Sequence, residues 1–158
     1  MSQDERSMFL REHAPGLEFA RLNKSLAHRE VTLGAGRKCA YANMLTAHLI
    51  TEEGSLACLD ITDWDVFGAP AQNMDLFNAY RRSLGESRLL HEAHFHVFQA
   101  NEANEFRNVL HLALISLFDV AGASTATDFR FYASHDEWID VAWQDGAPWQ
   151  ETMKWFFA

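Results

Sequence analysis

Cysteine and proline are scarce in this chain: two and three respectively among 158 residues. Cys39 and Cys58 are too few and too far apart for a disulfide framework or a CxxC metal knuckle, and are expected to pack as small, reduced hydrophobes. The prolines, at 15, 70 and 148, punctuate apolar runs, and no repeat, low-complexity tract or Pro/Ser-rich linker is present. One domain over residues 1–158 is expected, at a length that buries a sizeable core. No run approaches 18 apolar residues, and "MSQDERSMFLREH" is charged from its fourth position, so neither a membrane partner nor a signal sequence is expected and the expected location is cytoplasmic.

Positive charge is also short. Lysine and arginine number 13 against 22 acidic residues, a formal charge of −9, and the densest basic groups are the pairs Arg37-Lys38 and Arg81-Arg82. Such a field repels nucleic acid and attracts a basic partner. No GxSxG elbow, Walker loop or GxGxxG occurs, and "GAG" at 34–36 is too short to cradle a phosphate.

Apolar patterning is plentiful. "MDLFNAYRRSL" puts Met74, Phe77, Tyr80 and Leu84 on one helical face, with Asn73 as its cap and Gly85 at its C-terminal end. The segment 102–118 repeats Phe106, Val109, Leu110, Ala113, Leu114 and Leu117 at helical spacing. Residues 3–13 read as helix, 17–29 fit helix or strand with helix preferred, and Pro148 opens a last helix. Strands are predicted at 41–50 and 56–63, joined as a hairpin through "TEEGS", at 89–98, and at 128–134, where Phe129 and Phe131 alternate with Arg130 and Tyr132. In "SHDE", Ser134 and Glu137 have the spacing of a capping box, which predicts a helix from His135. Strands and helices intermix without βαβ spacing, so the expected fold is α+β: an antiparallel sheet of four to six strands with helices mainly on one face. The expected core includes Leu45, Leu59, Phe95, Val97 and Leu117.

"HEAHFHVF" (91–98) carries the densest chemistry. On a strand, His94 and His96 share a face about 7 Å apart, close enough to converge on one divalent transition metal, with Glu92, Glu102 or His135 as third ligand. The simpler alternative is two solvent-facing residues on a half-buried strand. A cupin arrangement does not fit, because five residues separate His96 from Glu102 and a long helix follows. Ser134-His135-Asp136 has the residue types of a hydrolase triad, but consecutive side chains diverge. Asp60, Asp63 and Asp65 fail the EF-hand template, which needs an oxygen ligand at Phe67 and a glutamate at Met74; they read as solvated strand-end carboxylates.

Four of five tryptophans crowd the last 21 residues beside carboxylates. Trp138, Asp140, Trp143, Asp145 and Trp149 thus form the expected patch for a basic protein partner, with aromatics as anchors and carboxylates steering approach. The expected function is a small acidic, non-enzymatic protein-binding module, immunity- or adaptor-like, with no cofactor. The alternative is a metal-dependent enzyme on a small molecule, using His94, His96, His135 and Glu92 as its ligand set.

Overall fold

The computed structural model describes residues 3–13, 27–32, 34–64, 71–127 and 129–143. Ten elements follow in order: α1 (Gln3–His13), β1 (Ala27–Thr32), α2 (Lys38–Leu49), β2 (Leu56–Asp63), α3 (Ala71–Ser83), β3 (Phe95–Gln99), α4 (Ala103–Ile115), β4 (Asp119–Ser124), β5 (Arg130–Ala133) and β6 (Trp138–Trp143). The strands form one antiparallel sheet in the order β1-β6-β5-β4-β2-β3, so the fold is α+β as expected. Among the described residues no helix is long and apolar enough to cross a membrane.

Period-two alternation divides the sheet into two unlike faces. Ala57, Leu59 and Ile61 of β2, with Val120, Phe131, Ala133, Ile139 and Val141, join the main core, to which α2, α3 and α4 contribute Leu45, Phe77 and Leu110. The alternate positions Cys58, Phe95 and Ala123 form a smaller cluster under Phe9 of α1. Burial raises the Cys58 thiol to about 12, so it is the inert hydrophobe expected, whereas Cys39 is exposed on α2.

The predicted strand at 41–50 is instead α2. Tyr41, Ala42, Leu45, Thr46 and Leu49 are all buried at spacings of three and four, and the helix packs along α4; a short apolar run carries either periodicity until a neighbour selects one. Residues 17–29 divide between positions outside the described residues and the start of β1, which is a strand and not a helix. α3 begins at Ala71, so Asn73 lies in its first turn and is not the cap. Its far end is as expected: Gly85 at φ 92° closes a Schellman motif, with Glu86 N–H donating to the Arg81 carbonyl at 3.0 Å and Gly85 N–H to that of Arg82 at 3.0 Å. The same motif ends α4 with Leu117 at φ 59°, so Leu117 is the turn residue and not a sixth core position. Val97 is only partly buried, on the α1 side.

No helix starts at His135. The Ser134 amide donates to the Trp138 carbonyl at 2.9 Å, the Ser134 carbonyl accepts from Glu137 at 3.1 Å, and Glu137 has φ 61°. That is a three-residue hairpin turn with a left-handed final residue, and Ser134 Oγ caps the Asp136 amide at 3.2 Å within it. The real reciprocal box is at Gln99 and Glu102, where the Glu102 carboxylate accepts from the Gln99 amide at 2.8 Å and starts the turn leading into α4. The helix read from Pro148 lies outside the described residues.

Gly122 on β4 faces Phe131 across the β4–β5 pair, and a Cβ added there would lie 2.1 Å from Phe131 Cε1. The Phe131 ring is fully buried and has nowhere to go. Gly122→Ala should therefore cost about 2–3 kcal/mol in urea denaturation, by overpacking. An unchanged midpoint would contradict this packing.

Candidate functional site

The four residues of the expected metal set do not meet. His94, just before β3, directs Nδ1 at the Asp60 carboxylate (2.8 Å) on the α1 side of the sheet and stacks on Trp64 at 6.1 Å. Asp60 is 1% exposed and also accepts from Arg6 Nε at 2.8 Å, so it is a buried, paired carboxylate and not the solvated group expected. His96 points to the other side, edge-on to Phe77. Glu92 accepts from the Leu89 amide at 2.8 Å and braces a turn. His135 belongs to a third network. The shared-face geometry required regular strand at both histidines, but β3 begins only at Phe95.

His96 has no nitrogen to spare. Nε2 accepts from Arg81 Nε at 3.0 Å, and Nδ1 lies 3.1 Å from the His94 carbonyl, so a neutral ring protonated on Nδ1 satisfies both bonds. Burial, reinforced by the adjacent guanidinium, lowers its pKa to about 3. Arg81 is 1% exposed and satisfied by neutral acceptors: His96, the Asn78 side chain at 3.2 Å, the Arg88 carbonyl at 3.0 Å and the Ala93 carbonyl at 2.5 Å. It fastens the end of α3 to the start of β3.

His135 sits at the β5–β6 turn, with Nδ1 2.7 Å from Asp119 Oδ1, which also accepts from the His135 amide at 2.7 Å. Asp119 Oδ2 takes the Tyr132 hydroxyl. Asp63 completes a trio with Asp119 and His135 whose ligand-type atoms lie within 4.8 Å of one another. Both Asp119 oxygens already serve hydrogen bonds that close the hairpin. The bond to Asp119 raises the His135 pKa, and burial, followed by the same carboxylate, raises that of Tyr132. Sequence spacing did not announce this cluster: Asp119 and His135 are 16 residues apart and meet only through the β4–β5 register.

The expected aromatic-acidic patch is described only in part. Trp138 packs on Tyr132 at 5.5 Å and Asp140 is half-buried. Trp143 ends β6, while Asp145 and Trp149 lie outside the described residues.

A groove of about 450 Å³ opens along β3. Its walls are Arg81, Leu84, Glu86 and Arg88 from the end of α3 and the following turn, and Glu102, Glu105 and Val109 from the approach to α4 and the helix itself. Its floor is Phe95, His96, Val97 and Phe98. Adjacent strand residues point to opposite faces, so a groove touching four in succession runs along the edge of the strand, backbone included. β3 is the last strand in the sheet order, with β2 its one neighbour among the described strands. No family model, curated protein or solved structure matches this chain.

Arg81→Lys cannot reproduce the planar fork and leaves buried carbonyls without donors, so it should cost about 2–4 kcal/mol in urea denaturation. The histidines act in opposite pH windows. His96 has a folded pKa of about 3 against 6.5 unfolded, so the unfolded chain takes up the extra proton and stability falls as pH drops below 6.5. From pH 6.5 to 5 this amounts to roughly 1.5 kcal/mol, and His96→Gln should flatten that acid limb in melts. His135, raised above 6.5, contributes stability below that value and loses it as pH rises through its folded pKa. His135→Gln should remove part of the alkaline decline and leave the acid limb intact.

Proposed function

We propose that this chain is an acidic protein-binding module that receives an extended polypeptide segment along the outer edge of β3. The observation that carries this reading is the groove lined by four successive residues of an edge strand. Strand addition supplies affinity through main-chain hydrogen bonds, and flanking pockets choose the side chains. Leu84, 43% exposed, and the partly buried Val97 supply apolar contact, while Glu102 and Glu105 favour basic groups on the incoming segment beside the C-terminal end of β3. The charge of −9 steers such a segment inward.

The test is selection of a displayed library of extended peptides against the purified chain. Enriched peptides should carry lysine or arginine toward one end, and their binding should slow amide exchange within Phe95–Gln99. Enrichment of peptides that leave β3 exchange unchanged, or no enrichment, would overturn the reading.

A further inference from the structure

One polar cluster lies outside the β3 groove and is built by an irregularity in the sheet. Ile61 pairs with Val120, so a regular antiparallel ladder would set Thr62 opposite Asp119. The register instead shifts between Ile61 and Asp63, and Asp63 becomes the partner of Asp119. Like charges directly opposite one another destabilise a strand pair, whereas bulges recur beside functional sites because they re-aim a side chain. The β5–β6 turn adds His135 to this pair: its Nδ1 lies 2.7 Å from Asp119 Oδ1, and its Nε2 faces Asp136 Oδ1 at 3.6 Å. Asp63, Asp119 and Asp136 thus place three carboxylates around one imidazole, and a protonated ring would offset only one of them.

We propose that Asp63, Asp119 and His135 bind one divalent transition-metal ion of the zinc type, at a site independent of the peptide-binding reading. Their ligand atoms already lie within 4.8 Å of one another. Two donors each about 2.1 Å from one ion stand at most about 4.2 Å apart, so the exposed Asp63 need only swing inward slightly. His135 coordinates through Nδ1, and the proton on that nitrogen leaves to solvent. Asp119 Oδ1 then turns to the metal the lone pair that Nδ1–H now occupies and keeps the His135 amide, 2.7 Å away, on the other. The supporting groups are in place. The Tyr132 hydroxyl donates to Asp119 Oδ2 and fixes the carboxylate, while the Nε2–H of a metal-bound His135 faces Asp136, the carboxylate–histidine–metal order in which a ligand's second nitrogen is anchored. The Asp119 side chain is 10% exposed and that of His135 32%, so a firmly held inner ligand faces an open outer side. One nitrogen and two oxygens suit zinc, cobalt or nickel, whereas calcium and magnesium prefer all-oxygen shells. Three protein ligands leave a coordination position to water.

The experiment is isothermal titration calorimetry of Zn²⁺ alone, as the chloride, into the full chain purified without an affinity tag, over about 1 to about 300 μM. One equivalent should bind, and Mg²⁺ at the same concentrations should give no heat of binding. Asp63→Asn, at an exposed position, and His135→Gln should each weaken Zn²⁺ binding about tenfold or more. His91→Gln, at another exposed histidine, should leave it unchanged. In imidazole nitrogen NMR spectra, Zn²⁺ should shift the His135 ring and leave those of His94 and His96 where they are.

Absence of saturable Zn²⁺ binding up to about 300 μM overturns the inference. So does binding that either folded variant retains in full, or a Zn²⁺-induced shift confined to other histidines, since both place the ion elsewhere on the surface. Should His135→Gln fail to fold by circular dichroism, Asp63→Asn and the wild-type imidazole spectra decide the matter. Failure of the peptide selection leaves these outcomes untouched, because none of the three ligands lines the β3 groove.

Discussion

The end of α3 and the start of β3 are held together by one buried cation, and much around them depends on it. Arg81 is 1% exposed and bonded to two main-chain carbonyls, an amide side chain and an imidazole. Removing a guanidinium from water is costly and is offset only when its donors find acceptors in good geometry. The planar fork makes the arrangement specific. With Arg81 in place, the 84–93 segment is drawn against β3, Ala93 is buried and His96 is confined to its neutral form. The wall of the β3 groove exists because this residue pins the turn that forms it.

The same constraint changes the meaning of the histidine-rich stretch. A guanidinium 3.0 Å from Nε2 makes His96 an acceptor there, and its Nδ1–H donates to the His94 carbonyl. His94, two residues earlier, turns across the sheet to Asp60, whose buried charge is shared with Arg6 of α1. The two rings tie α3 and α1 to opposite faces of one strand end. They hold the sheet between its covering helices at the edge where the groove opens, so the most conspicuous chemistry in the chain is spent on bonds to Asp60, Arg81 and the His94 carbonyl, while His135 bonds Asp119 at the far turn.

What could be read in advance was set by local physics. Glycine at Gly85, the apolar stripe of α4, and the alternation in β5 each have a meaning that a few neighbouring residues suffice to determine. The α+β class, an antiparallel sheet and helices mostly on one face followed from those patterns. "YANMLTAHLI" did not resolve in the same way, because buried residues at 41, 42, 45 and 49 satisfy a helix while the same run satisfies a short strand, and the choice belongs to α4. "SHDE" has the composition of both a helix cap and a tight turn. The pairing of β5 with β6 selected the turn and placed Glu137 in the left-handed region.

By itself, then, the sequence determined the charge, the apolar periodicities, most turn positions and the class of fold, because each depends on residues within a turn or two of one another. Only the tertiary structure decided which strand became an edge, since strand order is set by contacts between residues far apart in the chain: β3 pairs β2, and β2 pairs β4. It also decided which histidine meets which partner. Asp60 with His94, Arg81 with His96 and Asp119 with His135 are separated by 34, 15 and 16 residues. Hydrogen bonds over such distances exist only after the sheet register and helix docking have brought the groups together. The groove belongs to the same class, as its two walls and floor come from three elements whose relative placement no local pattern encodes.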